Sequence, residues 1–145
     1  MFQWNDRLDT GIVRIDADHI VLVALINQVI INTDSGGVAA LRHVVEALKG
    51  YVAYHFGYEE QLMAECDYPG RQEHMAQHCA LRNRLGEMAD KHSEIGAREM
   101  RNFLVGWLTE HIAEQDRKLG VWVKDAHLRP PESARPLATI RFAND

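Results

Sequence analysis

Cysteine and proline are scarce in this chain, with 2 and 4 among 145 residues. Cys66 and Cys79 form no Cys-x-x-Cys pair, and two isolated thiols fit a reduced, cytoplasmic protein rather than a disulfide framework. Three of the four prolines lie in the terminal stretch LRPPESARPLATIRFAND, from Leu128 onward, so Pro69 alone interrupts what precedes it. Basic runs are absent as well, and 21 acidic residues outnumber 16 basic ones. That balance argues against a nucleic-acid partner or an anionic membrane surface. No apolar run spans a bilayer: IVLVALI, from Ile20 to Ile26, falls far short of the roughly 20 residues required, so membrane insertion is not expected. The opening MFQWNDRLDTG lacks the basic-then-apolar layout of a secretory signal. What is present is an ordinary globular composition, 46% hydrophobic and 26% charged, at a length that fits one domain. The 8 histidines are the exception to that ordinariness.

The spacing of apolar residues predicts helices, because they recur at three- and four-residue intervals over long segments. A first helix is expected from about Asp16 to Asn32, with Ile15, His19, Leu22, Ile26 and Val29 on its inward stripe. A second runs from Val38 to Cys66 and places Leu41, Val45, Leu48, Val52, His55, Glu59 and Leu62 together. The turn DYPG then leads into a third, from Arg71 to Lys91, with His74, His78, Leu81, Leu85 and Met88 inward. After HSEIG a fourth is expected from Ala97 to Lys124, carrying Met100, Leu104, Trp107, Leu108 and His111. Four amphipathic helices joined by short turns imply an all-α, antiparallel up-down-up-down bundle over residues 1–127. Phe2 and Trp4 make an N-terminal arm that could pack over it. Residues 128–145 are expected to be a non-helical tail.

Each of the four stripes contains the wrong kind of residue for a core. His19, the pair His55 and Glu59, the pair His74 and His78, and His111 all point inward, with Asp116 following. A single core histidine is ordinarily just hydrogen-bonded, and that reading suffices for His43, His92 and His127. Five imidazoles and two carboxylates converging from four helices are another matter. Burying an ionised carboxylate without a partner costs several kcal/mol or more. Metal cations offset that cost, since imidazole nitrogen and carboxylate oxygen are their usual ligands. Seven ligands exceed the needs of one ion and suit two, bridged by the carboxylates. Asp116 resists the pattern, being about 140° around an ideal helix from His111. It either reaches across or sits at a π-bulge.

IDADH (Ile15 to His19), HFGYEEQLM followed by YP, HMAQH (His74 to His78) and WLTEHIAEQD (Trp107 to Asp116) closely resemble the hemerythrin family, in its bacterial single-domain form. The match runs in order and spacing from about Trp4 to Trp122. The resemblance implies two non-heme irons with an oxo or hydroxo bridge, and reversible dioxygen binding as the activity. It implies one iron held by His74, His78 and His111, a second by His19 and His55, and Glu59 and Asp116 bridging them. The two-histidine iron would have the open position for dioxygen, within an apolar surround of Phe56, Leu62, Trp107, Leu108 and Ile112. A zinc protease is excluded because Met75 stands where HExxH needs glutamate. A ferritin-like oxidase is excluded because no inward Glu-x-x-His pair occurs. A binding protein is favoured over a peroxidase, a nitric-oxide reductase or a sensor built on the same centre, because no further inward acid or base is evident.

Overall fold

In the computed structural model the described residues are 1–34, 38–90 and 97–125. The expected tail, the HSEIG connection, His92 and His127 lie outside them. The chain opens with an arm that includes a 3-10 turn, Asp6–Leu8, and continues into α1, Val13–Asp34. Then come α2, Val38–Glu65, α3, Arg71–Asp90, and α4, Ala97–His111. A π-helical turn, Ile112–Asp116, separates α4 from α5, Arg117–Asp125. The chain is thus an all-α four-helix bundle whose fourth member is α4 and α5 in series. α1 lies against α2 and α4, and α2 against α3, as the apolar stripes require.

Helix ends follow local chemistry. α1 begins three residues before the expected Asp16, because the loop ahead of it caps it. Asp16 accepts hydrogen bonds from the Thr10 backbone N–H (2.9 Å), the Thr10 hydroxyl (2.7 Å) and the Gly11 N–H (3.1 Å). The Thr10 hydroxyl oxygen in turn accepts from Ile12 N–H at 3.1 Å, so donors that a helix start leaves orphaned are met. α2 stops where Asp67 turns to φ 50°, and Tyr68 N–H reaches back to the Met63 carbonyl at 3.0 Å. Gly120 lets this same N-terminal loop dock: a Cβ there would lie 2.1 Å from the Thr10 carbonyl oxygen.

Two apolar clusters sandwich a polar layer. The larger holds Leu22, Ile26, Val45, Leu48, Val52, Phe56, Leu81, Leu85, Leu104 and Leu108, with the arm residues Phe2 and Trp4 packed on it. Phe2 is held to α1 at two points, its N–H donating to Asn27 Oδ1 (2.8 Å) and its carbonyl accepting from Asn27 Nδ2 (2.9 Å). The smaller holds Ile12, Ile15, Leu62, Met63, Cys66, Leu119 and Val123, closed by a Trp122 Nε1–H bond to the Cys66 carbonyl at 2.9 Å. Each buried aliphatic or Phe side chain contributes about 1.5–3 kcal/mol. By length and composition α1 could cross a membrane. In the bundle Ile15, Leu22, Val23, Ile26, Val29 and Ile30 are buried while Val13, Ile20 and Ile31 are exposed, and the helix carries the buried Asp18 and His19.

Candidate metal centre

Between the two clusters, all seven inward polar residues come together, each no more than 3% exposed. They form two overlapping groups. Glu59, His74, His78, His111 and Asp116 make one, and His19, His55, Glu59 and Asp116 the other, with one donor atom per residue lying within 4.8 Å of the rest. The carboxylates belong to both groups and divide their oxygens between them. Glu59 Oε1 faces His55 Nε2 (3.2 Å) and His19 Nε2 (3.9 Å), while Oε2 faces His78 Nε2 (3.0 Å) and His74 Nε2 (3.5 Å). Asp116 Oδ2 faces His19 Nε2 at 3.0 Å, and Oδ1 faces His74 (2.9 Å) and His111 (3.1 Å).

The π-turn settles how Asp116 arrives. Arg117 N–H bonds back to the Ile112 carbonyl, five residues earlier, so the local turn is one residue wider than an α-turn. That widening returns Asp116 to the side of His111, from which an α-helix would carry it away. It also buries Gln115.

Close as these groups are, many of them are not aligned as hydrogen bonds. All four oxygens of Glu59 and Asp116, with Nε2 of His19 and of His78, have no hydrogen-bond partner. Orphaned buried acceptors of this kind are costly and rare. His74 Nε2 and His111 Nε2 stand 3.1 Å apart, a separation at which two lone pairs need a proton or a cation between them. A cation among these atoms satisfies them all at once, so the residues fit metal ions. Neither thiol is near: Cys66 is in the smaller apolar cluster and Cys79 is exposed.

The outer edges of three imidazoles carry partners that helical spacing does not reveal. His55 Nδ1–H donates to Asp18 (3.2 Å), His78 Nδ1–H to Glu60 (3.0 Å) and His111 Nδ1–H to Gln77 (2.8 Å). A proton fixed on Nδ1 leaves the Nε2 lone pair directed into the centre. Asp18 also accepts from Tyr51 Oη–H at 2.9 Å, and Glu60 from Arg82 at 3.0 Å. Asp18 is thus a further inward carboxylate, contrary to the expectation that none is left beyond Glu59 and Asp116. Its signal in the sequence is weak, since it precedes His19 by one residue and lies to the side of the stripe, toward α2. Tyr58 is buried against the smaller cluster, under the Arg14 guanidinium.

Without metal the centre is strongly polarised. Burial opposes charge on His55, but the Glu59 carboxylate and the Asp18 bond outweigh it and raise the pKa to about 10. His74 rises to about 9, again against burial, through Asp116 and Glu59. For His78 burial prevails and the pKa falls. Burial works against ionised Glu59 and Asp116 too, yet the surrounding imidazoles hold both well below the ordinary carboxylate range.

The two groups differ in their surroundings. Phe56 stacks on the face of His78 (3.6 Å between centroids, 4° between planes), and Trp107 on His111 (4.4 Å, 14°). A small apolar cavity borders His19, His55, His111 and Asp116, walled by Leu22, Val52, Phe56, Leu81, Trp107 and Leu108. Leu62, expected in that wall, belongs to the other cluster. His43, expected to be an ordinary hydrogen-bonded core histidine, is instead exposed.

Fold and site together define an all-α bundle with a buried histidine–carboxylate metal-binding centre. The model of the hemerythrin HHE cation binding domain matches residues 10–123. A bacteriohemerythrin of Stenotrophomonas maltophilia (strain R551-3) is 32% identical over 127 residues, covering 86% of this chain and 82% of that protein. One from Pseudomonas aeruginosa (strain LESB58) is 32% identical over 116 residues, 78% of this chain and 75% of its own length. A crystal structure of wild-type hemerythrin shares the fold with a TM-score of 0.78 at 23% identity, covering 85% of this chain and 98% of its own. The chain belongs to the hemerythrin family.

Proposed function

We propose that this protein binds dioxygen reversibly at a pair of iron ions, one held by His74, His78 and His111 and the other by His19 and His55. Glu59 and Asp116 would hold both ions, since each turns one oxygen toward either group of imidazoles. When bound, ferrous ions supply the two electrons that dioxygen takes up on binding and returns on release. The observation carrying this reading is the apolar cavity bordered by both imidazoles of the two-histidine group, His19 and His55, and by one of the other three, His111. Phe56 and Trp107, stacked on His78 and His111, also wall this cavity and add to its apolar lining. Leu22, Val52, Leu81 and Leu108 keep water and its protons from it. Asp18, Glu60 and Gln77 hold three imidazoles in orientation. Reversible binding is favoured over catalysis because the cavity is lined by no acid or base beyond the proposed ligands themselves. Two thiols left unpaired fit a reducing, cytoplasmic setting.

The test is a visible spectrum of the purified protein, recorded reduced and anaerobic, then in air, then after purging, with iron quantified alongside. A charge-transfer band that appears in air and vanishes on purging, at about two irons per chain, is expected. A band that decays without returning dioxygen would overturn reversible binding.

A further inference from the structure

Behind His55, on the side away from the centre, hydrogen bonds continue outward between α1 and α2. Tyr51 and His55 stand one turn apart on α2, so a single carboxylate of α1 can serve both. Asp18 Oδ1 accepts from the Tyr51 hydroxyl at 2.9 Å, and Asp18 Oδ2 from His55 Nδ1–H at 3.2 Å. Of the three bonds that support imidazoles from outside, this last is the longest, the others being 3.0 Å at His78 and 2.8 Å at His111. A hydrogen bond to an ionised carboxylate ordinarily closes to about 2.7–2.9 Å. Arg14 stands farther off, its Nε 3.9 Å from Asp18 Oδ2, with its guanidinium over the Tyr58 ring and donating to the Tyr54 hydroxyl. Burial and the negative charge of Asp18 push the Tyr51 pKa well above its ordinary value, so the hydroxyl stays a donor.

The outer edges of the five imidazoles follow one rule. His111 is backed by a neutral amide, and Glu60 behind His78 also accepts from Arg82 at 3.0 Å. The Nδ1 atoms of His19 and His74 have no hydrogen-bond partner among the described residues. Without Tyr51, His55 alone would be backed by a carboxylate shared with no other hydrogen-bond donor among the described residues. A carboxylate in that position raises the basicity of a metal-ligating imidazole, and a donor on its second oxygen draws part of the charge away. We propose that Tyr51 is a positioning residue acting through Asp18: its hydroxyl fixes the carboxylate and limits its pull on the His55 Nδ1 proton. The ion held by His55 is thereby harder to oxidise, which favours return of dioxygen over loss of electrons. This consequence rests on the iron pair proposed above; the effect on His55 does not.

The test uses Tyr51→Phe, which removes the hydroxyl, and a second protein with a monofluorinated tyrosine at the same position, a stronger O–H donor of nearly unchanged shape. The His55 Nδ1–H signal is followed by nuclear magnetic resonance in the full chain, metal-free and loaded with zinc. Tyr51→Phe should move it downfield, toward a stronger bond to Asp18, and fluorination should move it upfield. A signal unmoved in both, or moved upfield by Tyr51→Phe because Asp18 has come loose, would overturn the proposal. In the iron-loaded chain at fixed potential, Tyr51→Phe should shift the ratio of oxidised to reduced protein about tenfold upward, and fluorination should lower it. A moved His55 signal beside an unmoved ratio would overturn the consequence for the ion. Fewer than about one iron per unsubstituted chain, or a His55 signal indifferent to zinc, marks failure of the iron pair instead, and the metal-free series still decides the role of Tyr51.

Discussion

The two halves of the centre share both carboxylates and edge-on imidazole contacts, and differ in imidazole count, aromatic cover and outer supports. On the α3–α4 side three imidazoles meet Glu59 Oε2 and Asp116 Oδ1, and aromatic rings cover two of them face-on. On the α1–α2 side two imidazoles meet the other oxygens and contact each other edge-on, with ring centroids 4.7 Å apart. Their outer supports differ as well: a neutral amide and a carboxylate shared with Arg82 on one side, and on the other a carboxylate shared with Tyr51. One half therefore carries three imidazoles, two of them under aromatic rings, and the other two imidazoles beside a cavity that His111 also borders. Similar chemistry is made unequal by what packs around it.

The largest expected effect comes from removing what the halves share. Asp116→Ala should reduce metal from about two ions per chain to fewer than about one, whereas His55→Ala should leave about one, on the three-histidine side. Elemental analysis after reconstitution decides it, and equal losses in both variants would erase the distinction. Phe56→Ala would make the halves more alike by uncovering His78. It should cost about 3–5 kcal/mol in urea unfolding of the loaded protein, since Phe56 is 2% exposed. Smaller effects follow from the outer supports. Asp18→Asn should weaken metal binding at the two-histidine side by about 10–100-fold, and Glu60→Gln should act on the other side. Competition with a chelator would show which ion leaves first, and loss of the same ion in both variants would contradict the pairing.

The smallest effect is on pH dependence without metal. His55 and His74, raised to about 10 and about 9, contribute stability that is full below the ordinary value of 6.5 and lost as pH rises through those values. Glu59 and Asp116, lowered, contribute above their ordinary 4.5 and 3.8 and lose that contribution as pH falls. Melting temperature of the metal-free protein should therefore peak between about pH 4.5 and 6.5. Metal ions compete with protons for Nε2, so the loaded protein should peak at higher pH. Coincident peaks would refute the linkage.

Much of the bundle and of its centre is legible in the order of residues alone. The three-four recurrence of Leu22, Ile26 and Val29, or of Leu81, Leu85 and Met88, marks helices because only one side of each faces the core. His19, His55, Glu59, His74, His78 and His111 are readable because they break that pattern where an apolar residue belongs. Asp18, Glu60 and Gln77 are not readable. Each sits beside a stripe, where polar residues are ordinary, and gains meaning only from the neighbouring helix that comes within hydrogen-bond reach.

The pattern along the chain therefore suffices for the bundle and for the polar set at its middle, because helical periodicity is local and burial of charge demands a cation. Packing in three dimensions decided how Asp116 returns to the site, which imidazoles lie under aromatic rings, and where the cavity opens. Those depend on a single turn widened by one residue and on side chains from separate helices meeting across the core, and spacing along one chain carries no information about that meeting.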